Sequence, residues 1–355
     1  MNNIDKLQQY MGVHMEAALI VDGSNRFYFT GMRSSAGAVL VIPGKAFFFI
    51  DFRYFEEAER SVKACQVIEA KNLYEQIGAL LFQHGIHRLS IVSDTMTIKE
   101  CRDLKSALPG IEVDDSDDLS RIMDTIRRKK DMKEIGCLKK AQRITDEAFS
   151  HILEFIRPGI TELDIARELG YTMEKLGSDD RHYGYIVASG PNSSLPHGFA
   201  TSRVIQNGDF VTMDFGAVCG GYFADMTRTV AVGGVTDEQR KIYGIVYEAQ
   251  QRAFEMIRPG AVCSQVDAAA RDYIYSCGYE DCFSHGLGHS VGVDVHENPR
   301  FNEICEDILT PGNVMTVEPG IYIKHRFGVR IEDMIVVREG GFENLAVSPK
   351  ELIIL

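Results

Sequence analysis

The chain of 355 residues has no run of about 18 apolar residues, so its sequence predicts no transmembrane helix. Its first residues, M-N-N-I-D-K, lack the apolar segment of a signal peptide. Eight cysteines are present, but none forms a C-x-x-C pair or the spacing of a small disulfide framework. We therefore expect free thiols in a cytoplasmic protein that does not enter a membrane.

Positive charge is also scarce in this sequence. Lysine and arginine number 38 against 51 aspartates and glutamates, which gives a net charge of −13 at pH 7. This balance opposes non-specific attraction to nucleic acid or to an acidic membrane surface. Apolar residues make up 45% and charged residues 25% of the chain, as in ordinary globular proteins, and its length allows two domains with separate cores.

The first part of the chain alternates strand-like and helix-like segments, which predicts a small α/β domain. Two β-prone runs within residues 37–50 flank Pro43-Gly44-Lys45, a sequence typical of a hairpin turn. An acidic, polar break follows at residues 113–118. We place the domain boundary near it, which gives domains 1–122 and 123–355.

The second domain contains an internal repeat. The string I-R-P-G occurs at residues 156–159 and again at 257–260, and a capping-box pattern, T-E-L-D or S-Q-V-D, follows each copy. Further along, a β-prone run ends at Asp214 in the first copy and a similar run ends at Glu318 in the second. A duplicated α/β half would place these two carboxylates face to face.

Potential metal ligands follow this repeat. Taken singly, each acid could be an ordinary turn or surface residue, but two acidic pairs hold similar positions in the two copies. Four carboxylates and one imidazole offer the oxygen ligands and the charge for two divalent ions, whereas a structural single-metal site prefers cysteine and histidine. Such a site activates water and polarises a carbonyl, so the sequence predicts a two-metal hydrolase. The five candidate ligands are Asp214, Asp225, His289, Glu318 and Glu332.

The residues around these ligands resemble those of the pita-bread metallopeptidases, the family of methionine aminopeptidase, aminopeptidase P and prolidase. The matching strings are M-D-F-G-A, Y-F-A-D-M-T-R-T, H-G-L-G-H-S-V-G-V-D-V-H-E-N-P, V-E-P-G-I-Y and V-R-I-E-D. In the first domain, Y-F-T-G and I-D-F-R-Y are similar to the creatinase/prolidase N-terminal domain, which plain methionine aminopeptidases lack. The resemblance implies a mixed α/β chain: a small N-terminal domain and a pseudo-two-fold pita-bread catalytic domain.

The resemblance also implies how the metals are held. Asp214 would chelate one metal ion, Asp225 and Glu332 would bridge the two ions, and His289 and Glu318 would complete the second. Mn(II) or Co(II) suits such an oxygen-rich site, with Zn(II) and Fe(II) as alternatives.

Further roles follow from the same motif positions. Glu318 would act as general base, and His197 and His296 would stabilise the oxyanion of the tetrahedral intermediate. His285, Arg330 and Tyr183 are assigned to substrate binding, with orientation of the metal ligands as the alternative for His285 and Arg330.

Taken together, the resemblance implies an Xaa-Pro exopeptidase that acts on proline-containing dipeptides or short peptides and forms a homodimer. Two alternatives remain: a methionine aminopeptidase-like specificity, and a peptide-binding relative without catalysis. The N-terminal domain opposes the first, and the complete ligand set opposes the second. We slightly favour dipeptides, whose free carboxylate would need a cationic partner such as Arg330, His285 or Arg53.

Overall fold

The computed structural model of the chain describes residues 2–12, 15–179 and 185–355. The chain divides into two compact units, Met1–Arg127 and Arg128–Leu355. The boundary predicted at residue 122 falls inside the helix Asp118–Arg128. Within the described ranges, no helix combines the length and the hydrophobicity that a membrane span requires.

The first unit is a mixed α/β structure, as predicted. Its helices are α1 (Asn3–Gln8), α2 (Gly23–Thr30), α3 (Phe52–Ser61), α4 (Leu73–Gln83), α5 (Ile98–Ala107) and α6 (Asp118–Arg128). Its strands are β1 (Ala18–Ile20), β2 (Ala38–Ile42), β3 (Lys45–Ile50), β4 (Gln66–Glu69), β5 (Arg88–Ile91) and β6 (Glu112–Asp114). They form one sheet in the order β4-β3-β2-β1-β5-β6. The predicted hairpin is confirmed, since β2 and β3 pair antiparallel across a turn in which Gly44 has φ of 74°.

The second unit carries the internal repeat. Its helices are α7 (Met132–Phe155), α8 (Glu162–Lys175), α9 (Asp237–Met256) and α10 (Cys263–Ser276). Its strands are β7 (Ile186–Ser189), β8 (Phe210–Phe215), β9 (Val218–Cys219), β10 (Tyr222–Phe223), β11 (Met226–Ala231), β12 (Gly288–Ser290), β13 (Glu297–Phe301), β14 (Val314–Val317), β15 (Gly320–Ile323), β16 (Phe327–Arg330), β17 (Asp333–Arg338) and β18 (Gly341–Asn344). We call residues 132–231 the first copy and residues 237–338 the second copy.

The two copies have the same arrangement of helices, strands and hairpin, which we call the frame. In each, two helices precede a central strand, β8 or β14, which pairs antiparallel with an earlier strand and with a later one. A short hairpin, β9–β10 or β15–β16, lies between the central strand and its later partner. The resulting sheets run β11-β8-β7 and β13-β12-β14-β17-β18. This duplication agrees with the predicted pseudo-two-fold architecture, and the second copy extends it with β13, while β18 adds a further edge strand.

The helix ends differ between the copies. The first predicted capping box is confirmed, because Thr161 accepts from the backbone of Asp164 and Asp164 accepts from that of Thr161. The second prediction is wrong. Helix α10 begins at Cys263, and its N-cap residue makes no side-chain hydrogen bond. The carboxylate of Asp267 instead pairs with Arg271 at 2.6 Å and accepts from the backbone N–H of Leu287 at 2.9 Å, so a long-range partner replaces the local cap.

Apolar faces of the helices cover both sheets of the second unit. One core joins α9 and α10 to the strands of the second copy, and another joins α7 and α8 to those of the first. The strands β8, β11, β14 and β17 are buried along almost their whole length, as expected for strands covered on both faces. Such strands are held firmly, so the side chains at their ends have fixed positions.

Candidate functional site

The five predicted metal ligands all line one cleft of the second unit, with a volume of about 720 Å³. The frame explains why they meet: each carboxylate lies at or beside the end of one of the paired central strands. Asp214 is the second-last residue of β8, Asp225 precedes β11, Glu318 follows β14 and Glu332 precedes β17. His289 is the middle residue of β12, which pairs with β14.

Three of these side chains form a tight group. Ligand atoms of Asp225, His289 and Glu332 lie within 4.8 Å of one another, and all three residues are buried. The Nε2 atom of His289 is 3.3 Å from Oε1 of Glu318 and 3.6 Å from Oδ2 of Asp225. Asp214 and Glu318 are only partly buried, so they form the side of the group that faces the open cleft.

Burial and crowding perturb the acids of this group. Burial raises the pKa of Asp225 well above its ordinary value, and repulsion from Asp214 and Glu318 adds to the effect. Burial likewise raises the pKa of Glu332, reinforced by the charges of Asp225, Glu318 and Asp214. For His289, burial acts to lower the pKa, but the hydrogen bond and charge of Glu318 outweigh it and raise the pKa. Without metal, burial therefore favours the protonated forms of Asp225 and Glu332, and Glu318 favours the protonated form of His289.

This donor set fits two divalent cations. In the described part of the chain, no lysine or arginine forms an ion pair with Asp225 or Glu332, although both are buried carboxylates. Buried charges are stable in proteins when they are paired or coordinate metals, and oxygen ligands with one imidazole suit hard or borderline divalent ions. Cations at this position would replace the protons that burial otherwise forces onto the acids.

Arg330 is buried beside the group, and each of its three nitrogens already donates to the protein. Its Nη2 donates to Oδ2 of Asp214 at 2.7 Å, and its Nε to Oγ1 of Thr227 at 3.0 Å. Thr227 in turn donates to Oε2 of Glu332 at 2.6 Å. Nη1 donates to the carbonyl of Pro196 and to the hydroxyl of Tyr322. Of the two roles predicted for Arg330, the geometry favours orientation of the ligands.

His285 lies in the same polar chain. Its Nδ1 contacts the carbonyl of Gly286 at 2.8 Å, so it carries the proton, and its Nε2 is 2.9 Å from the hydroxyl of Tyr322. Burial lowers the pKa of His285, which agrees with this neutral tautomer. Tyr322 thus links His285 to Arg330. Tyr322 was not predicted to take part in the site, although it ends the string V-E-P-G-I-Y that identified Glu318.

The two histidines predicted to stabilise the oxyanion both line the cleft. The ring of His296 stacks edge-on against that of His289, with their centroids 4.5 Å apart. Withdrawal from solvent lowers the pKa of His296, and the positive charge of His289 adds to this. His197 lies on an exposed loop that follows the short 3₁₀ helix Gly190–Ser194. Tyr183, predicted to bind substrate, lies outside the described residues.

A buried ion pair supports β12, which carries His289, and the start of β13, which directly follows His296. Nζ of Lys130 is 3.0 Å from Oε2 of Glu297 and donates to Oγ of Ser290 at 2.8 Å. Both charged side chains are almost fully buried, with 1% and 6% exposure. Because Ser290 follows His289 and Glu297 follows His296, one ammonium group fixes the residues next to both histidines. The sequence gives no local signal for this contact, since Lys130 and Glu297 are 167 residues apart.

A buried carboxylate supports the loop of His197 instead. Glu162 is fully buried at the start of α8. One oxygen accepts from the backbone and hydroxyl of Ser189, both at 2.7 Å. The other accepts from the backbone of Thr201 at 3.0 Å and from its hydroxyl at 2.6 Å. Glu162 therefore holds both ends of the segment that contains His197.

Two further arginines, Arg53 and Arg300, are candidates for binding a substrate carboxylate. Arg53, predicted as a partner for a substrate carboxylate, is exposed and pairs with Asp51 at 2.7 Å in the first unit. Arg300 is exposed and lines the cleft, four residues after His296. Arg300 was not among the predicted site residues, although it directly follows the string H-E-N-P of the matched motif.

Comparisons with known proteins agree with this geometry. The chain is 36% identical over 352 residues to an Xaa-Pro dipeptidase of Pyrococcus horikoshii, which covers 99% of this chain and 98% of the relative. Its structure is similar to that of an Xaa-Pro dipeptidase from Bacillus anthracis, with a TM-score of 0.94, 39% identity and 99% of both chains covered. It is also similar to an X-Pro aminopeptidase from Thermotoga maritima, with a TM-score of 0.93, 32% identity and 100% of both chains covered.

Two family models match the chain as well. The creatinase/prolidase N-terminal domain matches residues 3–128, and metallopeptidase family M24 matches residues 136–339, the region that contains all five ligands and the whole cleft. The resemblance drawn from the sequence strings is therefore confirmed, and the chain belongs to metallopeptidase family M24.

Proposed function

We propose that this chain is a two-metal exopeptidase that hydrolyses the bond between an N-terminal residue and a following proline. The observation that carries the proposal is the convergence of Asp225, His289 and Glu332 within 4.8 Å in a cleft large enough for a short peptide. The choice of proline is supported by the relatives, which include an Xaa-Pro dipeptidase and an X-Pro aminopeptidase. An Xaa-Pro bond lacks an N–H, which favours a dedicated enzyme.

The five ligands of the cleft would hold two divalent cations, and Mn(II) or Co(II) suits their oxygen-rich set, with Zn(II) and Fe(II) as the alternatives. When bound, such cations supply an activated water and polarise the scissile carbonyl. The protein contributes the fixed positions of the ligands. Arg330 holds Asp214 directly and Glu332 through Thr227, so the acids keep their orientation as substrate enters.

Glu318 is the residue that we assign to proton transfer. Burial acts to raise its pKa, but the hydrogen bond and charge of His289 lower the pKa to about 2, so Glu318 is a carboxylate at neutral pH. It lies on the open side of the ligand group, where it can accept a proton from water. The same carboxyl can then donate that proton to the prolyl nitrogen, which must be protonated to leave as an amine.

His296 and His197 flank the position where the carbonyl oxygen of the substrate would lie. A lowered pKa keeps the ring of His296 neutral at pH 7, so it stabilises the developing oxyanion as a hydrogen-bond donor without adding charge to the site. His197 would act from the loop that Glu162 holds.

For the far end of the substrate, we propose that Arg300 binds the free carboxylate of a dipeptide. Arg330 and His285, two of the three residues first considered for this task, are engaged with Asp214 and Tyr322. Arg300 lines the cleft, is exposed and forms no ion pair in the described part of the chain. A guanidinium binds a carboxylate through two parallel hydrogen bonds, which supports a preference for dipeptides.

A substrate panel tests this proposal. Full-length protein with added Mn(II) is assayed on Met-Pro, amidated Met-Pro, Met-Pro-Ala and Met-Ala. We expect cleavage of the proline peptides, fastest for Met-Pro, and negligible cleavage of Met-Ala. The variant Arg300→Gln should raise KM for Met-Pro and leave the amidated peptide unaffected, whereas Arg326→Gln, an exposed arginine outside the cleft, should change neither. Faster cleavage of Met-Ala would support a methionine aminopeptidase-like enzyme, and no cleavage would support a non-catalytic relative.

We further propose that the protein acts in the cytoplasm as a homodimer. The expectation of free thiols agrees with the first point, since all eight cysteines are unpaired. Sedimentation of the purified chain tests the second, and a monomer at all concentrations would exclude it.

A further inference from the structure

Helix α9 carries a glutamine, Gln250, that binds the backbone directly before two predicted metal ligands, Glu318 and Glu332. Gln250 is fully buried. Its Nε2 donates to the backbone carbonyl of Val317 at 2.9 Å and to that of Ile331 at 3.3 Å. These residues immediately precede Glu318 and Glu332. A single amide group, with both of its hydrogens used, therefore connects the backbones of two predicted metal ligands.

The other end of the same side chain is unsatisfied. Among the described residues, Oε1 of Gln250 is a buried acceptor without a hydrogen-bond partner. Buried polar atoms of this kind are rare in folded proteins, and an apolar residue would avoid the cost. Its chain neighbour Ala249 and the two residues whose carbonyls it binds, Val317 and Ile331, belong to an apolar core. What the residue provides is the bridge between the two carbonyls.

We infer that Gln250 is a positioning residue that sets the separation of Glu318 and Glu332. The two acids lie at the ends of different strands, one after β14 and one before β17. Backbone pairs lie on both sides of the acids, Val317 with Asp333 and Gly320 with Arg330. Between these pairs, the backbone N–H groups of Glu318 and Glu332 donate to Leu287 and Thr227 rather than to each other. Gln250 ties both backbones to one rigid helix at this point. The inference rests on the metal roles of these acids and is independent of the preference for proline.

The first copy provides a matched control. Gln142 lies in α7, the helix that corresponds to α9, and it is also fully buried with an unsatisfied Oε1. Among the described residues, its Nε2 contacts the thioether sulfur of Met226 at 3.5 Å and no backbone carbonyl. Replacing either glutamine by methionine preserves side-chain length and removes one unsatisfied acceptor. Only at position 250 does the replacement also release the backbone next to two ligands.

The experiment measures metal binding directly. Metal-free, full-length Gln250→Met, Gln142→Met and unmodified protein are titrated with Mn(II) by calorimetry, and their thermal unfolding is recorded without metal. We expect Gln250→Met to bind Mn(II) about 10- to 100-fold more weakly, the range typical of lost partners around metal ligands. Gln142→Met should bind as the unmodified protein does. Gln250→Met leaves the carbonyls of Val317 and Ile331 without this donor, so its metal-free form should melt at a lower temperature than Gln142→Met.

Two results would overturn the inference. Unchanged Mn(II) affinity of Gln250→Met would show that its bridge does not affect the ligands. An equal loss of affinity in both variants would assign the effect to general packing. If Gln250→Met does not fold, Gln250→Asn decides, because it keeps the amide but is too short to reach both carbonyls, and it should show the same weaker binding. Because calorimetry needs no substrate, failure here is separate from failure of the proposed peptidase activity.

Discussion

The two copies of the second unit build the same strand–hairpin–strand frame but hold their functional side chains by different means. The first copy uses neutral donors: Ser189 and Thr201 satisfy the buried carboxylate of Glu162. The second copy is supported by charge, because Lys130, which precedes both copies, binds Glu297 at the start of β13. The hairpin strands also differ, with two residues each in the first copy and four each in the second.

The two kinds of support correspond to the different side chains that each copy contributes to the cleft. The first copy gives the cleft two carboxylates and one loop histidine. The second gives two carboxylates, the imidazole ligand and His296, which stacks against it. A shared frame is thus enough to bring four acids together, whereas the asymmetric parts of the site depend on supports that are not repeated. The following changes test how far the copies are equivalent.

The largest effect is expected from the paired acids, where the copies should behave alike. Asp225→Asn and Glu332→Gln each remove a negative oxygen from the buried ligand group. Because metal catalysis contributes several kcal/mol, each variant should lose roughly 10³-fold or more in kcat, with weaker Mn(II) binding. Steady-state kinetics and metal analysis check this. If one variant alone kept near-normal turnover, the acids of the two copies would not contribute equally to catalysis.

The supports should differ in their effect on stability. Lys130→Met leaves Glu297 buried and unpaired, which typically costs about 3–5 kcal/mol, whereas Glu162→Gln keeps part of its hydrogen bonds and should cost about 1–3 kcal/mol. Urea unfolding measures both. The double variant Lys130→Met/Glu297→Gln serves as control and should recover part of the loss. Equal costs for the two single variants would contradict the distinction between charged and neutral supports.

The two cleft histidines should also be unequal. His296→Ala should lower kcat by about 10²–10³-fold, as expected for a lost oxyanion donor that is held in place by a neighbouring ring. His197 has no such ring contact among the described residues, so His197→Ala should lower kcat less, by roughly 10-fold. Both variants should keep their Mn(II). A larger loss of kcat for His197→Ala than for His296→Ala would contradict this prediction.

The smallest effect concerns pH and again involves both copies. Without metal, the pKa values of Asp225 and Glu332 are raised in the folded state. Their contribution to stability is present below the ordinary carboxyl pKa and is lost as pH rises through the folded pKa. We therefore expect chelation to lower Tm more at pH 8 than at pH 5, with each kcal/mol moving Tm by roughly 2–4 °C.

Calorimetry of Mn(II)-loaded and EDTA-treated protein at both pH values makes this measurement. The variant Glu332→Gln removes one titrating group, so its metal-free form should show a smaller dependence on pH. A Tm difference that stays constant between the two pH values would contradict the raised pKa values.

Sequence patterns were sufficient for the frame and for the acids and histidines that line the cleft. Asp214 and Glu318 could be predicted because each ends a β-prone run in a repeated segment, and their neighbours followed from specific strings. The hairpin at Gly44 was likewise predictable from local turn chemistry. These features depend on residues that are close in sequence or that recur at matching positions.

The supports could not be predicted, because they depend on which distant segments meet. Lys130 reaches Glu297, and Gln250 reaches Val317 and Ile331, without any pattern at either end. The failed capping box has the same cause. Asp267 had the right spacing for a local cap, but a nearby arginine and a remote backbone N–H compete for the same oxygens.

The contacts of Arg330 and Thr227 cross between the copies. Arg330, from the second copy, holds Asp214 of the first, and Thr227, from the first, holds Glu332 of the second. If the two halves arose by duplication of an ancestral segment, they could not become identical and independent again without losing these contacts. Asp214 and Glu332 are each oriented by a residue of the opposite copy, so mutation and selection act on the two as one inherited unit.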